Sequence, residues 1–257
     1  MDIQKAADAL CAAEKGVYQI PMLSTGNPEM TVADAYAVQL RNIDLRKAAG
    51  EKVVGMKIGL TSTGMQKLLN VDVPDYGHLM SSMLLLEGMP CDTKKLCQPK
   101  AEGEIAFCLK KALRGPGLTI ADVYAATDYV VPAIEIVDSR IRDWKIKLVD
   151  TIADNGSAAR FVVGSRMTPI ANVDMRLTGM TLEKNGVLVN SGAAAEVWGN
   201  PAAAVAWLAN ALSAYDIELP AGGIILAGAL TAAVPAAAGD NITASFCGMG
   251  SVGVKFI

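Results

Sequence analysis

The spacing of apolar residues divides the chain near residue 75. In the first part, Asp2 can cap a helix that ends near Gly16. Thr31 and Asp34 form a variant capping box that opens a second helix, which ends at Gly50. The apolar face of the second helix is formed by Val32, Tyr36, Leu40 and Ile43. We therefore expect this region to pack on the rest of the protein.

Short strands separated by Gly and Pro dominate the rest of the chain. Strands are predicted at 52–59, 102–109, 131–137, 224–227, 242–247 and 252–257, with a short helix at 65–69 and a hairpin at 180–189. The hairpin turns at Asn185-Gly186, a pair that favours a type I′ turn, and Asn200-Pro201 begins a helix through Ala214. The pattern predicts an α+β fold, with a helical N-terminal region at 1–75 and a β-rich body at 76–257 that work as one unit.

The composition indicates a protein with a large core. Of 257 residues, 52% are hydrophobic and 19% are charged, which suits one sizeable domain. The net charge of −3 gives no basic field for nucleic acid. The N-terminal residues lack the apolar core of a signal peptide, and no run reaches the ~20 apolar residues that span a bilayer. We expect a cytoplasmic protein without a membrane partner.

The five cysteines form an odd set without C-x-x-C spacing. They are Cys11, Cys91, Cys97, Cys108 and Cys247. This spacing indicates neither a disulfide framework nor a zinc site, so we predict reduced, mostly buried thiols.

Three glutamates in apolar surroundings are candidate metal ligands. Glu102 and Glu104 are two apart on a predicted strand, so their side chains share a face with Cα atoms ~6.6 Å apart. Glu135 lies within another apolar run. If the three carboxylates meet, they need a cation, and oxygen ligands favour Mg²⁺ or Mn²⁺ over zinc. Spacing alone leaves an alternative open, in which the first two line a solvated face and Glu135 makes a structural ion pair.

Lys57 lies within an apolar run and has two interpretations. Its stem could follow the core while its ammonium reaches water, or it could be buried near a carboxylate as an acid/base or substrate-anion contact. His78 is the only histidine, which excludes a His-based metal triad, and no G-x-S-x-G accompanies it. We expect His78 at the surface or behind the site. The glycine pairs form no dinucleotide fingerprint, so NAD binding is not predicted.

Six motifs, in order along the chain, carry a family resemblance. They are VGMKIGLTS at 54–62, PDYG at 74–77, QPKAEGEIAF at 98–107, IEIVDSR at 134–140, RDWK at 142–145 and DTIADN at 150–155. Together they resemble the 2-keto-4-pentenoate hydratase / 2-oxo-3-hexenedioate decarboxylase family of the fumarylacetoacetate hydrolase superfamily. The similarity runs from about residue 20 to the C-terminus.

The resemblance implies a fold, a metal site and an assembly. The fold is a mixed β-barrel-like body with an N-terminal helical region. Mg²⁺ or Mn²⁺ is held by Glu102, Glu104 and Glu135, where it chelates the substrate's C1 carboxylate and 2-oxo oxygen. Lys57 and Asp75 match the acid/base positions. Weaker candidates for substrate contact are Ser62, Ser157 and Thr231. The family forms rings of five or ten identical subunits, which are open to a complex with a neighbouring pathway enzyme.

The activity that the resemblance implies is that of a lyase in aromatic hydrocarbon catabolism. It is a hydratase that adds water to 2-hydroxypenta-2,4-dienoate, or a close analogue, to give a 4-hydroxy-2-oxo acid. One alternative is a 2-oxo-3-hexenedioate (4-oxalocrotonate) decarboxylase, which uses the same metal to expel CO₂. The motifs AEGE and RDWK look more like those of hydratases. A second alternative, a non-catalytic partner subunit, conflicts with the retention of buried charges.

Overall fold

A curled, mixed β-sheet forms the centre of the chain in a computed structural model that describes residues 1–62, 64, 66, 67 and 70–257. The strands are β1 (Val53–Gly59), β2 (Asp75–Met80), β3 (Leu84–Leu85), β4 (Lys100–Leu109), β5 (Thr127–Val137), β6 (Ala158–Val163), β7 (Thr168–Pro169), β8 (Gly179–Lys184), β9 (Val187–Ala193), β10 (Ile224–Ala229), β11 (Val234–Pro235), β12 (Asn241–Phe246) and β13 (Gly250–Lys255). The α-helices are α1 (Ile3–Gly16), α2 (Leu23–Gly26), α3 (Val32–Ala48), α4 (Ile120–Ala126), α5 (Leu148–Ala153) and α6 (Pro201–Ser213). The short helix predicted at 65–69 includes residues outside the described part.

Two sheets are present in the described chain. The nine-stranded sheet has the order β2-β1-β10-β4-β5-β6-β3, with β11 paired to β4 and β7 to β5. Its β1–β10 and β3–β6 pairs are parallel, while the other pairs are antiparallel. The four-stranded sheet has the order β13-β12-β8-β9. The predicted α+β architecture with N-terminal helices is therefore confirmed.

The main core joins the two sheets and α6. It contains Phe107 of β4, Ile134 of β5, Leu182 of β8, Val205 of α6 and Val252 of β13, all buried. In β4 and β5, this core lies on the face of the sheet that carries the odd-numbered residues of β4. Because successive side chains in a strand alternate, the even-numbered residues of β4 point to the opposite face.

The N-terminal helices begin where the sequence predicts. Asp2 accepts a hydrogen bond from the Lys5 N–H at the start of α1, and Thr31 and Asp34 form the capping box of α3. At the other end of the chain, the Asn200 side chain caps α6. The hairpin between β8 and β9 turns through two residues of positive φ, Asn185-Gly186, as a type I′ turn requires.

The buried face of α3 differs from the prediction. Val32 is exposed, and Tyr36 and Leu40 are only half-buried. The residues that are buried are Ala35, Val38, Gln39 and Ile43. The face is rotated because the Gln39 amide donates to the backbone carbonyls of Tyr76 and Ile152, which satisfies a polar group inside the core.

Two further predictions, for the cysteines and for His78, hold only in part. The five cysteines are free, as predicted, but only Cys91 is buried. Cys97 lies in the loop before β4 and Cys247 in the turn after β12, where the chain meets solvent. His78 lies in β2 with 8% of its area exposed, which excludes the surface and leaves the other predicted place, behind the site.

The division of the chain at residue 75 into a helical region and a β-rich body stays a prediction. Strand β1 comes from the N-terminal side of that boundary, and it is hydrogen-bonded into the nine-stranded sheet between β2 and β10. None of the described helices is long and apolar enough to cross a membrane.

Candidate active site

The three predicted acidic residues meet on one face of the nine-stranded sheet. Glu102 of β4 lies directly opposite Glu135 of β5, and Glu104 follows two residues along the same strand. One carboxylate oxygen from each residue lies within 4.8 Å of the others. Glu104 and Glu135 are 1% and 0% exposed, while Glu102 is half-buried. The burial of Glu104 excludes a fully solvated acidic face.

The cluster carries more negative charge than its surroundings can stabilise. Burial, followed by the neighbouring Glu135 carboxylate, raises the pKa of Glu102 to about 7. The same two causes raise the pKa of Glu104 well above its ordinary value, although the Gly228 N–H donates to its Oε2 at 2.8 Å. Burial also raises the pKa of Glu135 against the opposing effect of Lys57. The carboxylates therefore share protons unless a cation binds among them.

Lys57 is buried beside this cluster. It lies in β1, its side chain is 5% exposed, and its Nζ is 3.4 Å from Glu135 Oε2. The ammonium also donates to the Gly156 carbonyl oxygen at 3.0 Å. Burial alone would lower the pKa of Lys57, but Glu135 and Asp75 outweigh it and raise this pKa, so the side chain is charged. The alternative in which the ammonium reaches water is therefore wrong.

Asp75 comes to the same place from the start of β2. It pairs with Gly59 at the end of β1, two residues beyond Lys57, and is 1% exposed. Burial raises the pKa of Asp75, and Lys57 opposes that shift. A Cβ at Gly59 would lie 2.1 Å from Asp75 Oδ1 and 3.3 Å from Lys57 Nζ. Only glycine at this position leaves room for the two charged groups.

A left-handed turn, formed by residues 155–157 after α5, closes the site beside Lys57. Asn155, Gly156 and Ser157 have φ values of 57°, 59° and 57°. The sequence motifs predict no role for Gly156, although the Asn155-Gly156 pair is typical of a turn. The turn brings the Gly156 carbonyl to Lys57 and carries the predicted substrate contact Ser157. Its Oγ is buried and has no hydrogen-bond partner among the described residues, so it is free to meet a ligand.

The other two predicted hydroxyl contacts are less clearly placed. Thr231 is half-buried beyond β10, where its hydroxyl donates to the Ala232 carbonyl oxygen and its methyl group lies near Gly192 of β9. Ser62 is half-buried beyond β1. The roles of Ser62 and Thr231 as substrate contacts stay predictions.

Arg140 and Asp154, in the polar stretch that follows β5, form a buried network. Arg140 and Asp154 form an ion pair at 2.5 Å, and both are buried. The remaining Arg140 nitrogens donate to the backbone carbonyls of Asp138, Ala158 and Asp154. Because its donors are used internally, Arg140 is not available to hold a distal carboxylate of a substrate.

The residues present fit a hard divalent cation. In the described part of the chain the two buried oxygens of Glu135 lack a well-formed hydrogen bond, although Lys57 Nζ lies 3.4 Å from Oε2, so they can still accept a ligand. Three carboxylates supply the oxygen-only donor set that Mg²⁺ and Mn²⁺ prefer. A bound cation would also offset the repulsion that raises the pKa of Glu102 and Glu104.

Two curated hydratases are similar to this chain over most of its length. The chain is 48% identical over 256 residues to the 2-hydroxyhexa-2,4-dienoate hydratase of Comamonas testosteroni, which covers 99% of this chain and 97% of that protein. It is 51% identical over 199 residues to the 2-hydroxypent-2,4-dienoate hydratase of Pseudomonas putida, covering 77% of this chain and 89% of that protein.

A solved structure extends the similarity to the whole fold. The 4-oxalocrotonate decarboxylase from Pseudomonas putida G7, complexed with magnesium and adipate, superimposes with a TM-score of 0.96 at 43% identity, covering 99% of this chain and 97% of that chain. The sequence model for the C-terminal part of fumarylacetoacetate (FAA) hydrolase matches residues 63–256, a stretch that contains Asp75 and all three clustered glutamates. By fold, by motif and by overall sequence, the chain belongs to the fumarylacetoacetate hydrolase C-terminal family.

Proposed function

We propose that this protein is a hydro-lyase that adds water to 2-hydroxypenta-2,4-dienoate or a close analogue. The product is a 4-hydroxy-2-oxo acid, and the pathway is the meta-cleavage degradation of aromatic compounds. The observation that carries the proposal is the buried cluster of three glutamates with Lys57 as its ammonium partner. The hydratase names of the two curated relatives support the substrate class.

The chemistry divides between the cation and two side chains. A divalent ion held by Glu102, Glu104 and Glu135 would supply Lewis acidity toward the substrate's carboxylate and 2-oxo group. We assign proton movement to Lys57 and Asp75. In the first step, C5 of the dienol gains a proton as the 2-hydroxyl loses one, which gives the 2-oxo-3-enoate. In the second, water gives its hydroxyl to C4 and its proton to C3.

Decarboxylation of 2-oxo-3-hexenedioate is the second candidate, and one observation favours it. Lys100 lies on the same strand face as Glu102, two residues before it, with its Nζ 4.2 Å from the centre of the Trp144 ring. With Arg140 committed to Asp154, Lys100 is a cation that could hold a second carboxylate. The magnesium- and adipate-bound decarboxylase is similar over nearly the whole chain.

Product analysis with both substrates in labelled water tests the proposal. With the five-carbon dienoate, loss of its absorbance should accompany 4-hydroxy-2-oxopentanoate that carries the label at C4. The six-carbon diacid should release little CO₂. Rapid CO₂ release together with inertness toward the dienoate would reverse the assignment. Lack of turnover with both, in metal-loaded protein, would favour the non-catalytic partner.

The assembly and location that we propose follow the family. We infer a homo-oligomer, a ring of five or ten copies, that works in the cytoplasm and is open to association with a neighbouring pathway enzyme. Exposed apolar side chains on β9 support an interface between copies, since Val187 and Leu188 are 64% and 58% exposed.

A further inference from the structure

We propose that Asn155 is a positioning residue for Lys57. Asn155 fixes the turn 155–157 against β2. The turn, once fixed, holds the Gly156 carbonyl against the Lys57 ammonium. This proposal rests on the proposed function, because the direction of the Lys57 ammonium matters only if Lys57 moves a proton in that reaction. Asn155 itself touches neither the carboxylates nor Lys57 in any described contact.

The turn has a backbone conformation that the chain does not adopt without support. Asn155, Gly156 and Ser157 all have φ values near +58°. For residues other than glycine this region is unfavourable, and asparagine is among the few that enter it readily. Such a conformation persists at a functional site only when its surroundings fix it. The contacts of Asn155 with the rest of the protein must therefore hold this turn.

The Asn155 side chain binds the backbone of β2 through both ends of its amide. Its Oδ1 accepts from the His78 N–H at 2.7 Å, and its Nδ2 donates to the His78 carbonyl oxygen at 2.9 Å. Strand β2 is the first strand in the sheet order, so the amide satisfies backbone groups where a neighbouring strand would otherwise do so. A Cβ at Gly77 would lie 2.4 Å from the Asn155 carbonyl oxygen, which shows how closely the turn lies on the strand.

The turn positions the Lys57 side chain through contacts of Gly156. The Gly156 carbonyl accepts from Lys57 Nζ, and a Cβ at Gly156 would lie 3.1 Å from Lys57 Cδ. A lysine side chain has four rotatable bonds and three donors, so the ammonium needs more than one contact to fix its direction. Here the contacts are the Gly156 carbonyl on one side and Glu135 Oε2 on the other. Without the carbonyl, the ammonium can turn further toward the carboxylates.

The test compares two asparagines of the same kind. Asn155→Gly keeps a residue that accepts positive φ but removes both hydrogen bonds to His78. The matched control is Asn185→Gly in the β8–β9 turn, since Asn185 also has positive φ and precedes a glycine. Its amide likewise accepts from a backbone N–H, that of Asn241, and donates to Asp240. Each variant thus loses two side-chain amide hydrogen bonds, but those of Asn185 lie in the hairpin of the four-stranded sheet and not beside Lys57.

We expect Asn155→Gly to lower kcat on the order of tenfold or more, because small misplacements of a catalytic group carry costs of this size. KM and Mg²⁺ affinity, measured by calorimetry, should stay within about twofold, and Asn185→Gly should leave all three unchanged. In a Lys57→Met background, Asn155→Gly should change the residual kcat by less than about twofold, since its effect acts through Lys57.

An equal fall in kcat in both backgrounds would assign Asn155 a general structural role and overturn the proposal. Unchanged kcat in Asn155→Gly, or a loss confined to KM or Mg²⁺ affinity, would overturn it as well. The assays use the dienoate and the six-carbon diacid in parallel. If wild type consumes only the diacid, the proposed function fails, while the same comparison on CO₂ release still decides the role of Asn155.

Discussion

Single carboxylates differ in how firmly the protein holds them. Glu104 is fully buried and receives the Gly228 N–H, so its position is fixed before any cation arrives. We expect Glu104→Gln to keep the shape of the site and lower Mg²⁺ affinity at least tenfold, because it removes one of three charges that bind a hard cation. Isothermal titration calorimetry measures this directly.

The control for that substitution is Glu183→Gln on β8, a half-buried glutamate in the other sheet. It should bind Mg²⁺ like wild type. Full Mg²⁺ affinity in Glu104→Gln, or full activity of wild type after chelator treatment, would contradict the assignment of the cluster as a metal site.

Gly59 offers a steric test of the same site. A methyl group there would overlap Asp75 and crowd Lys57 Nζ, so we expect Gly59→Ala to lower kcat on the order of 10²-fold and to cost roughly 1–3 kcal/mol in the free energy of unfolding. Gly179→Ala is the control, because nothing lies within 4 Å of the added atom. Steady-state kinetics and urea denaturation measure both effects. A Gly59→Ala enzyme with normal kcat would show that Lys57 and Asp75 need no fixed spacing.

The sequence could predict some of these residues and not others. Glu102 and Glu104 share a face because the strand period is two, which needs only neighbouring positions. Their meeting with Glu135 depends on the register of β4 against β5, which spacing alone leaves open. The role of Asn155 depends on contacts with a residue 77 positions away, so only the folded chain reveals it.

Among the elements, the contact between α3 and β2 carries a pH dependence. Gln39 of α3 donates through Nε2 to two carbonyls, so its Oε1 accepts from His78 Nδ1, which therefore holds the proton of the neutral ring. Burial, assisted by Lys47, lowers the pKa of His78 to about 4. The unfolded chain, with a histidine pKa near 6.5, binds the proton first.

We therefore expect stability to fall as the pH drops from about 6.5 to about 4, by about 3 kcal/mol from this residue. His78→Asn should remove that contribution, since asparagine can still donate to Gln39 but does not titrate in this range. The difference between the two proteins in urea unfolding at pH 7 and at pH 4.5 isolates it from other groups. Equal losses of stability in both would mean that His78 titrates normally.

The same contact explains why one element was predicted only in part. The ends of α3 follow from local capping chemistry, which the sequence displays. The buried face of α3 does not follow from local chemistry. Gln39 is polar, so a pattern of apolar residues predicts that it is exposed. It is buried since β2 and α5 supply acceptors for its amide, and those acceptors come from segments distant in the chain.

At the scale of the whole molecule, β9 marks a surface that we expect to be covered. It is the last strand in the order of the four-stranded sheet, and Val187, Leu188 and Val189 are all exposed. Exposed apolar edge strands favour association. We expect Leu188→Glu to reduce the oligomer mass measured by light scattering. An unaltered mass in Leu188→Glu would exclude β9 from the interface.

The position of β10 has a consequence for how the protein is made. This strand lies between β1, which carries Lys57, and β4, which carries Glu102 and Glu104. During synthesis β4 leaves the ribosome more than a hundred residues before β10, yet Lys57 cannot take its place near the β4 carboxylates until β10 pairs with both neighbours. The nascent chain thus holds the carboxylates of β4 without their ammonium while residues 110–223 are added, and the site forms only after β10 has been made.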